Sequence, residues 1–288
     1  APISPMVRCL DVPSMVKDGL GWGSMVGVSS AYLARTGFTG INPVLLEKGE
    51  ESELPTLGDW FHIERVYFKP YACCRWAHPA VAAVLALARE HDLSPEDVAE
   101  VVVETVSVAT HLRAAVPHTT EEAQYSIPYP VAAALVHGRV GPREVLGDCL
   151  RDTRVLALAR RVRLRAAEDL DREFPQRCLA RVDIRRSSGE WIRSGVFASP
   201  WDAGTPPTDA ELGAKFREMS GLVLPAARVT ELEELILNAE RVAAAGDLLR
   251  ATVGHRPGDT ARACAHAPCR RGGGTGVAAV PVLAGPGC

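Results

Sequence analysis

Apolar positions recur at helical spacing between Met15 and Gly40, where Met25, Val28, Tyr32 and Leu33 share one stripe. Gly23, Gly27 and Ala31 form a second stripe of small residues that would let another backbone approach closely, and Gly37 with Gly40 predicts the helix stop. Residues 41–62 lose the periodicity and gather Glu47, Glu50, Glu51 and Glu53, the mark of a solvated loop or lid. The pattern resumes near Arg65. Tyr67-Phe68 leads into Lys69-Pro70-Tyr71-Ala72-Cys73-Cys74, and Pro79 opens an alanine-rich helix to about Glu90. Ser94-Pro95-Glu96-Asp97 predicts a capped helix start. Glu100 to Val108, rich in Val and Thr and alternating, predicts a strand.

Pro130 starts a short helix that Gly138 ends, and Gly141-Pro142-Arg143-Glu144 introduces another, followed by an arginine-rich segment from Arg160 to Arg165. Ala180, Val182 and Ile184, then Ser187-Ser188-Gly189, then Trp191 to Val196, predict a β-hairpin. After Pro200 the pattern is helical again. Thr208-Asp209-Ala210-Glu211 and Thr230-Glu231-Leu232-Glu233 both fit a capping box, the second opening a single helix to about Val253. From Gly254 onward 12 of 35 residues are Gly or Pro, so residues 254–288 read as a disordered tail. The order is helical, mixed, helical: an α+β chain.

Composition narrows the function classes. The 288 residues are 47% hydrophobic and 23% charged, which fits a folded globular protein of about two domains. The net charge of −3 supplies no bulk positive field, so neither nucleic acid nor an anionic membrane surface is an expected partner. No apolar run reaches 18 residues, and the eight cysteines are too sparse for a disulfide scaffold, so the expectation is a cytoplasmic chain with reduced thiols. The chain opens at Ala1 with no recognisable domain start, which is read as a fragment.

Several constellations point away from chemistry. Gly19-Leu-Gly21-Trp-Gly23-Ser-Met-Val-Gly27 does not match the G-x-G-x-x-G fingerprint, and no hydrophobic strand precedes it. Cys264, His266 and Cys269 offer soft ligands, but they lie in the Gly/Pro-rich tail, and no metal site is assigned there. What remains is Lys69 with Arg75 and His78, a lysine before a proline turn and a histidine at the start of the next helix. Positive charge and free N–H donors concentrated in this way suit a carboxylate. Lysine is otherwise scarce, only Lys17, Lys48, Lys69 and Lys215 against a background of arginine, which favours a role for the compact, movable ammonium.

The same segments resemble the MmgE/PrpD family, which includes 2-methylcitrate dehydratase and cis-aconitate decarboxylase. The resemblance is carried by Lys17-Asp-Gly-Leu-Gly-Trp-Gly-Ser-Met-Val-Gly27 and Ala31-Tyr-Leu-Ala-Arg-Thr-Gly-Phe-Thr-Gly40, then by Phe68-Lys69-Pro-Tyr-Ala-Cys73 with His78. Tyr125-Ser126-Ile-Pro-Tyr129-Pro-Val-Ala132 with Gly138, and Ala214-Lys215-Phe216, complete it in family order. It implies a large all-helical domain built from both chain ends with a smaller α+β domain inserted: residues 1–64 and 201–253 helical, 65–200 inserted. It also implies a further set of aspartate and histidine residues in an N-terminal helical half preceding this chain, and a homodimer.

The implied chemistry is that of a hydro-lyase acting on a small polycarboxylate such as 2-methylcitrate, with no cofactor and no metal. Decarboxylation or epimerisation within the family, or a fragment that keeps only the fold, are the alternatives. Removing a proton beside a carboxylate builds negative charge that needs preorganised cations. The resemblance implies Lys17 and Lys69 for carboxylate binding and charge stabilisation, with Arg75 and Ser126 as further substrate contacts. Tyr129 would donate to a leaving hydroxyl or a carboxylate, and His78 would act as acid or base, or support Lys69.

Overall fold

The computed structural model describes residues 20–40, 59 and 61–253. The chain divides at Thr208/Asp209 into two compact units. Its first described element, helix α1 (Leu20–Arg35), ends at Gly37, whose φ of +89° places it in the left-handed region. Gly37 N–H bonds to the Ala34 carbonyl and Phe38 N–H to that of Leu33, the paired closure that caps orphan carbonyls. All of residues 21–40 are exposed, with Met25, Val28, Tyr32 and Phe38 each more than half open to solvent. The small-residue stripe likewise meets nothing: a Cβ on Gly23 or Gly27 would find no atom within 4 Å.

The core of the first unit is a five-stranded mixed sheet backed by two helices. Strand β1 (Val98–Thr105) lies between β2 (Val162–Ala166), parallel to it, and β3 (Leu179–Arg186), antiparallel, and β3 also pairs with β4 (Trp191–Arg193) and β5 (Phe197–Ala198). The register puts Val101 and Val103 opposite Ile184 and Val182 on β3 and opposite Val162 and Leu164 on β2. Strand residues alternate faces, so those valines, with Ala180 and Ile184, form one buried surface. Helices α2 (His78–Glu90) and α4 (Pro128–His137) pack together, and α2 also packs on β3. The opposite sheet face carries the arginines: Arg181 pairs with Glu104 and with Asp169 at 2.6 Å each, Arg185 with Glu100 at 3.3 Å, and Arg193 with Asp183 at 3.6 Å.

Between β1 and β2 the chain also forms α3 (Thr120–Gln124) and α5 (Thr153–Ala159), and the four-residue turn α6 (Glu168–Asp171) links β2 to β3. Helix α2 starts where Pro79 predicts it, and Gly138 ends α4 with a φ of +70°. Ser187-Ser188-Gly189 makes the turn between β3 and β4, Gly189 at φ +92°. Other expectations are corrected. Ser94 to Asp97 opens only one 3₁₀ turn, because the β-branched run from Val98 enters the sheet at once. The predicted helix after Gly141 is two 3₁₀ turns, Pro142–Val145 and Gly147–Arg151, and only then α5. The arginine-rich segment holds strand β2, whose Val162 is buried while Arg163 and Arg165 are exposed.

The second unit contains α7 (Asp209–Ser220), α8 (Ala226–Leu237) and α9 (Ala245–Val253). Thr230 is no cap: α8 begins just after Pro225, and the Thr230 hydroxyl bonds back to the Ala226 carbonyl at 3.2 Å. Nor is there one helix to Val253. The Asn238 amide donates to the Glu234 carbonyl at 2.8 Å, closing α8, and a 3₁₀ turn at Ala239–Arg241 precedes α9. Among the described residues, no helix is long and apolar enough to cross a membrane.

Candidate functional site

Lys69, Arg75 and His78 come together on one turn that runs into α2. Main-chain bonds fix that turn: Ala72 N–H donates to the Val140 carbonyl at 2.9 Å, and Cys74 N–H to the Gln124 carbonyl at 2.7 Å. The second of these ties the lysine segment to the residue just before the Tyr125–Tyr129 segment. Arg75 to Ala77 form a 3₁₀ turn, and His78 with Pro79 begins the α-helix. Lys69 itself is exposed.

His78 is wholly buried at the helix start, its ring edge-on to Tyr71 with centroids 5.2 Å apart. Its Nε2 lies 3.3 Å from the Cys73 carbonyl, which can only accept, so Nε2 carries the proton. Nδ1 is then the bare lone pair, buried with no hydrogen-bond partner. Burial foremost pushes the imidazole down to about 4, and the Lys69 and Arg75 cations act in the same direction against the Cys73 and Tyr71 carbonyls. His78 is therefore neutral at pH 7. Burial likewise pushes the Cys73 thiol far up, and the Cys178 thiol to about 12, so neither is a nucleophile at neutral pH.

Arg75, expected to contact substrate, is engaged within the chain. Its guanidinium forms an ion pair with Asp202 and lies 4.7 Å from the Tyr67 ring centroid. Asp202 stands 127 residues away in sequence, and no local pattern in the chain marks it. Ser126 is buried too: its hydroxyl donates to the Ala114 carbonyl at 2.6 Å and accepts the Tyr129 N–H at 3.0 Å, securing the first turn of α4. The Tyr129 hydroxyl, expected to face substrate, sits 2.8 Å from the Glu144 carbonyl and 2.9 Å from that of Cys149. It pins both 3₁₀ turns onto α4, and burial raises its pKa well above the usual phenol range. Lys17 lies outside the described residues, as do Cys264, His266 and Cys269. Among the described residues, no group of three or more His, Cys, Asp and Glu side chains is placed to hold a metal ion.

The geometry thus offers one exposed ammonium, Lys69, on a braced turn beside a neutral buried histidine and the start of a helix. Two curated relatives carry related sequence. A cis-aconitate decarboxylase of Aspergillus terreus (strain NIH 2624 / FGSC A1156) is 26% identical over 204 residues, covering 67% of this chain and 41% of the relative. A second Aspergillus terreus cis-aconitate decarboxylase is 26% identical over 211 residues, 69% of this chain and 43% of the relative. The chain therefore spans about two-fifths of the length of these relatives. The MmgE/PrpD C-terminal domain matches residues 71–241, which include the buried sheet, α2, α4 and the histidine of the braced turn, and the chain belongs to the MmgE/PrpD family.

Proposed function

We propose that the chain is part of a lyase that acts on a small polycarboxylate through a carboxylate-stabilised carbanion. The observation that carries this reading is the exposed Lys69 ammonium on a turn held from several sides, next to the N-terminus of α2. A cation and a helix start together favour a carboxylate. They favour it most as negative charge grows on it, which is when stabilisation lowers a barrier. Lys69 binds and stabilises the substrate carboxylate. His78, sealed from solvent and neutral, supports the turn from beneath by donating to the Cys73 carbonyl. Tyr129 and Ser126 hold the neighbouring segment in shape. Lys17 is proposed as a second cation on the motif resemblance, with residues 65–200 as an α+β domain inserted in a helical one.

Two reactions fit this reading. Dehydration of 2-methylcitrate breaks a C–H bond beside a carboxylate and expels hydroxide from the adjacent carbon. Decarboxylation of cis-aconitate breaks a C–C bond, releases carbon dioxide and leaves an electron pair that is then protonated. The similarity to cis-aconitate decarboxylases favours testing the second substrate alongside the first. Incubation with each, following alkene absorbance and released carbon dioxide, separates them. Lys69→Ala is expected to lower whichever turnover is found by orders of magnitude with the fold intact, whereas Lys48→Ala, in the acidic segment, is expected to be nearly silent. Wild-type turnover in Lys69→Ala would remove Lys69 from the mechanism.

A further inference from the structure

Residues 201 and 202 grip the Lys69 turn at both of its ends. On the entering side, Phe68 N–H donates to the Trp201 carbonyl at 3.0 Å. On the leaving side, the Arg75 guanidinium pairs with the Asp202 carboxylate, and the Tyr67 ring stacked on Arg75 closes the turn on itself. The Asp202 carboxylate is itself aimed: its Oδ1 accepts the Ala203 N–H at 2.9 Å, which leaves Oδ2 for Arg75. The pair is shielded, with side-chain exposures of 15% for Arg75 and 27% for Asp202, so it is less screened than a surface pair.

The grip carries a conformational cost. Trp201 has φ +61°, in the left-handed region that bulky side chains avoid. Such a backbone conformation is strained and persists only where its neighbours over-determine it. Here the carbonyl of residue 201 and the side chain of residue 202 both face one turn, and that turn carries the exposed lysine.

We propose that Asp202, together with the Trp201 carbonyl, is the positioning element that holds Lys69 in place to receive a carboxylate. The proposal rests on the reading of Lys69 as the carboxylate-binding cation. Asp202 touches no substrate. It acts through Arg75, which is a strut between Asp202 and Tyr67, and it fixes where the ammonium of a flexible side chain can reach.

The test compares wild type with Asp202→Asn, which keeps the size and the bond from Ala203 but removes the charge, and Asp202→Glu, which keeps the charge. Hydrogen exchange at the Phe68 amide reads the grip, exchange at Val101 and Val103 in β1 reads the fold, and titration calorimetry with cis-aconitate, and with 2-methylcitrate, reads the site. Asp202→Asn is expected to speed Phe68 exchange at least about 10-fold and to weaken cis-aconitate binding at least about 5-fold, with β1 exchange unchanged, and Asp202→Glu to recover most of both. Unchanged Phe68 exchange in Asp202→Asn overturns the proposal. So does faster exchange with unaltered affinity, or a Glu variant as poor as the Asn variant. If wild type binds neither cis-aconitate nor 2-methylcitrate, the polycarboxylate reading fails, while the exchange measurements still decide whether Asp202 holds the turn.

Discussion

Acidification between pH 7.5 and 5 is expected to destabilise the protein through His78. An unfolded imidazole titrates near 6.5, whereas the buried His78 titrates near 4. Between those values the unfolded chain binds the extra proton and the folded one does not, so stability falls as pH falls. The contribution is complete above pH 6.5 and is lost as pH drops to about 4. At 1.36 kcal/mol per pK unit the whole difference is roughly 3 kcal/mol, and about 2 kcal/mol of it is lost by pH 5. Asp152, held low by Arg154, and Asp169, held low by Arg181, lose their contributions only below the ordinary carboxylate range.

The assay is urea denaturation of wild type and His78→Gln at pH 7.5, 6.5, 5.5 and 5.0. The variant is less stable at pH 7.5, because packing and the bond to Cys73 are disturbed, but it has no imidazole to protonate. Wild type should therefore lose about 2 kcal/mol more than the variant between pH 7.5 and 5. Parallel curves with the same pH dependence would refute the argument that the fold holds His78 neutral against protonation.

Tyr129→Phe removes the hydroxyl that reaches the Glu144 and Cys149 carbonyls and is expected to cost about 1–2 kcal/mol, seen as a lower thermal midpoint. A midpoint unchanged from wild type would mean that the 3₁₀ turns do not depend on that hydroxyl. Cys73 and Cys178, buried with raised pKa values, are expected to resist alkylation at pH 8 until the protein is unfolded, as mass spectrometry of digested peptides would show. Modification of either in the folded protein at the rate of a free thiol would contradict their burial.

Elements with strong local signals were legible from the chain alone. Pro79 and the alanine run define α2, the Val/Thr alternation defines β1, and Ser187-Ser188-Gly189 defines the turn into β4. Their signals are backbone preferences and periodicities held within a few residues. Strand β2 was harder to read. Its Val162-Arg163-Leu164-Arg165 alternation is present, but the outward residues are arginines that read as a charge cluster until the sheet shows which face they occupy. The start of α8 is obscured for a related reason, because the capping-box pattern at Thr230 also fits a residue whose hydroxyl bonds backward inside a helix.

The candidate site divides in the same way. Local sequence carries the family resemblance and the residue types that gather around Lys69, since a motif lies within one stretch of chain. Which partner each of these side chains meets comes from the three-dimensional packing. It turned Arg75 toward Asp202, sealed His78 against the Cys73 carbonyl and set the Tyr129 hydroxyl onto two main-chain oxygens. Whether a polar side chain meets solvent or a partner depends on burial and on groups the fold brings in, 127 residues away for Arg75 and 15 and 20 for Tyr129, and neither is written in local spacing.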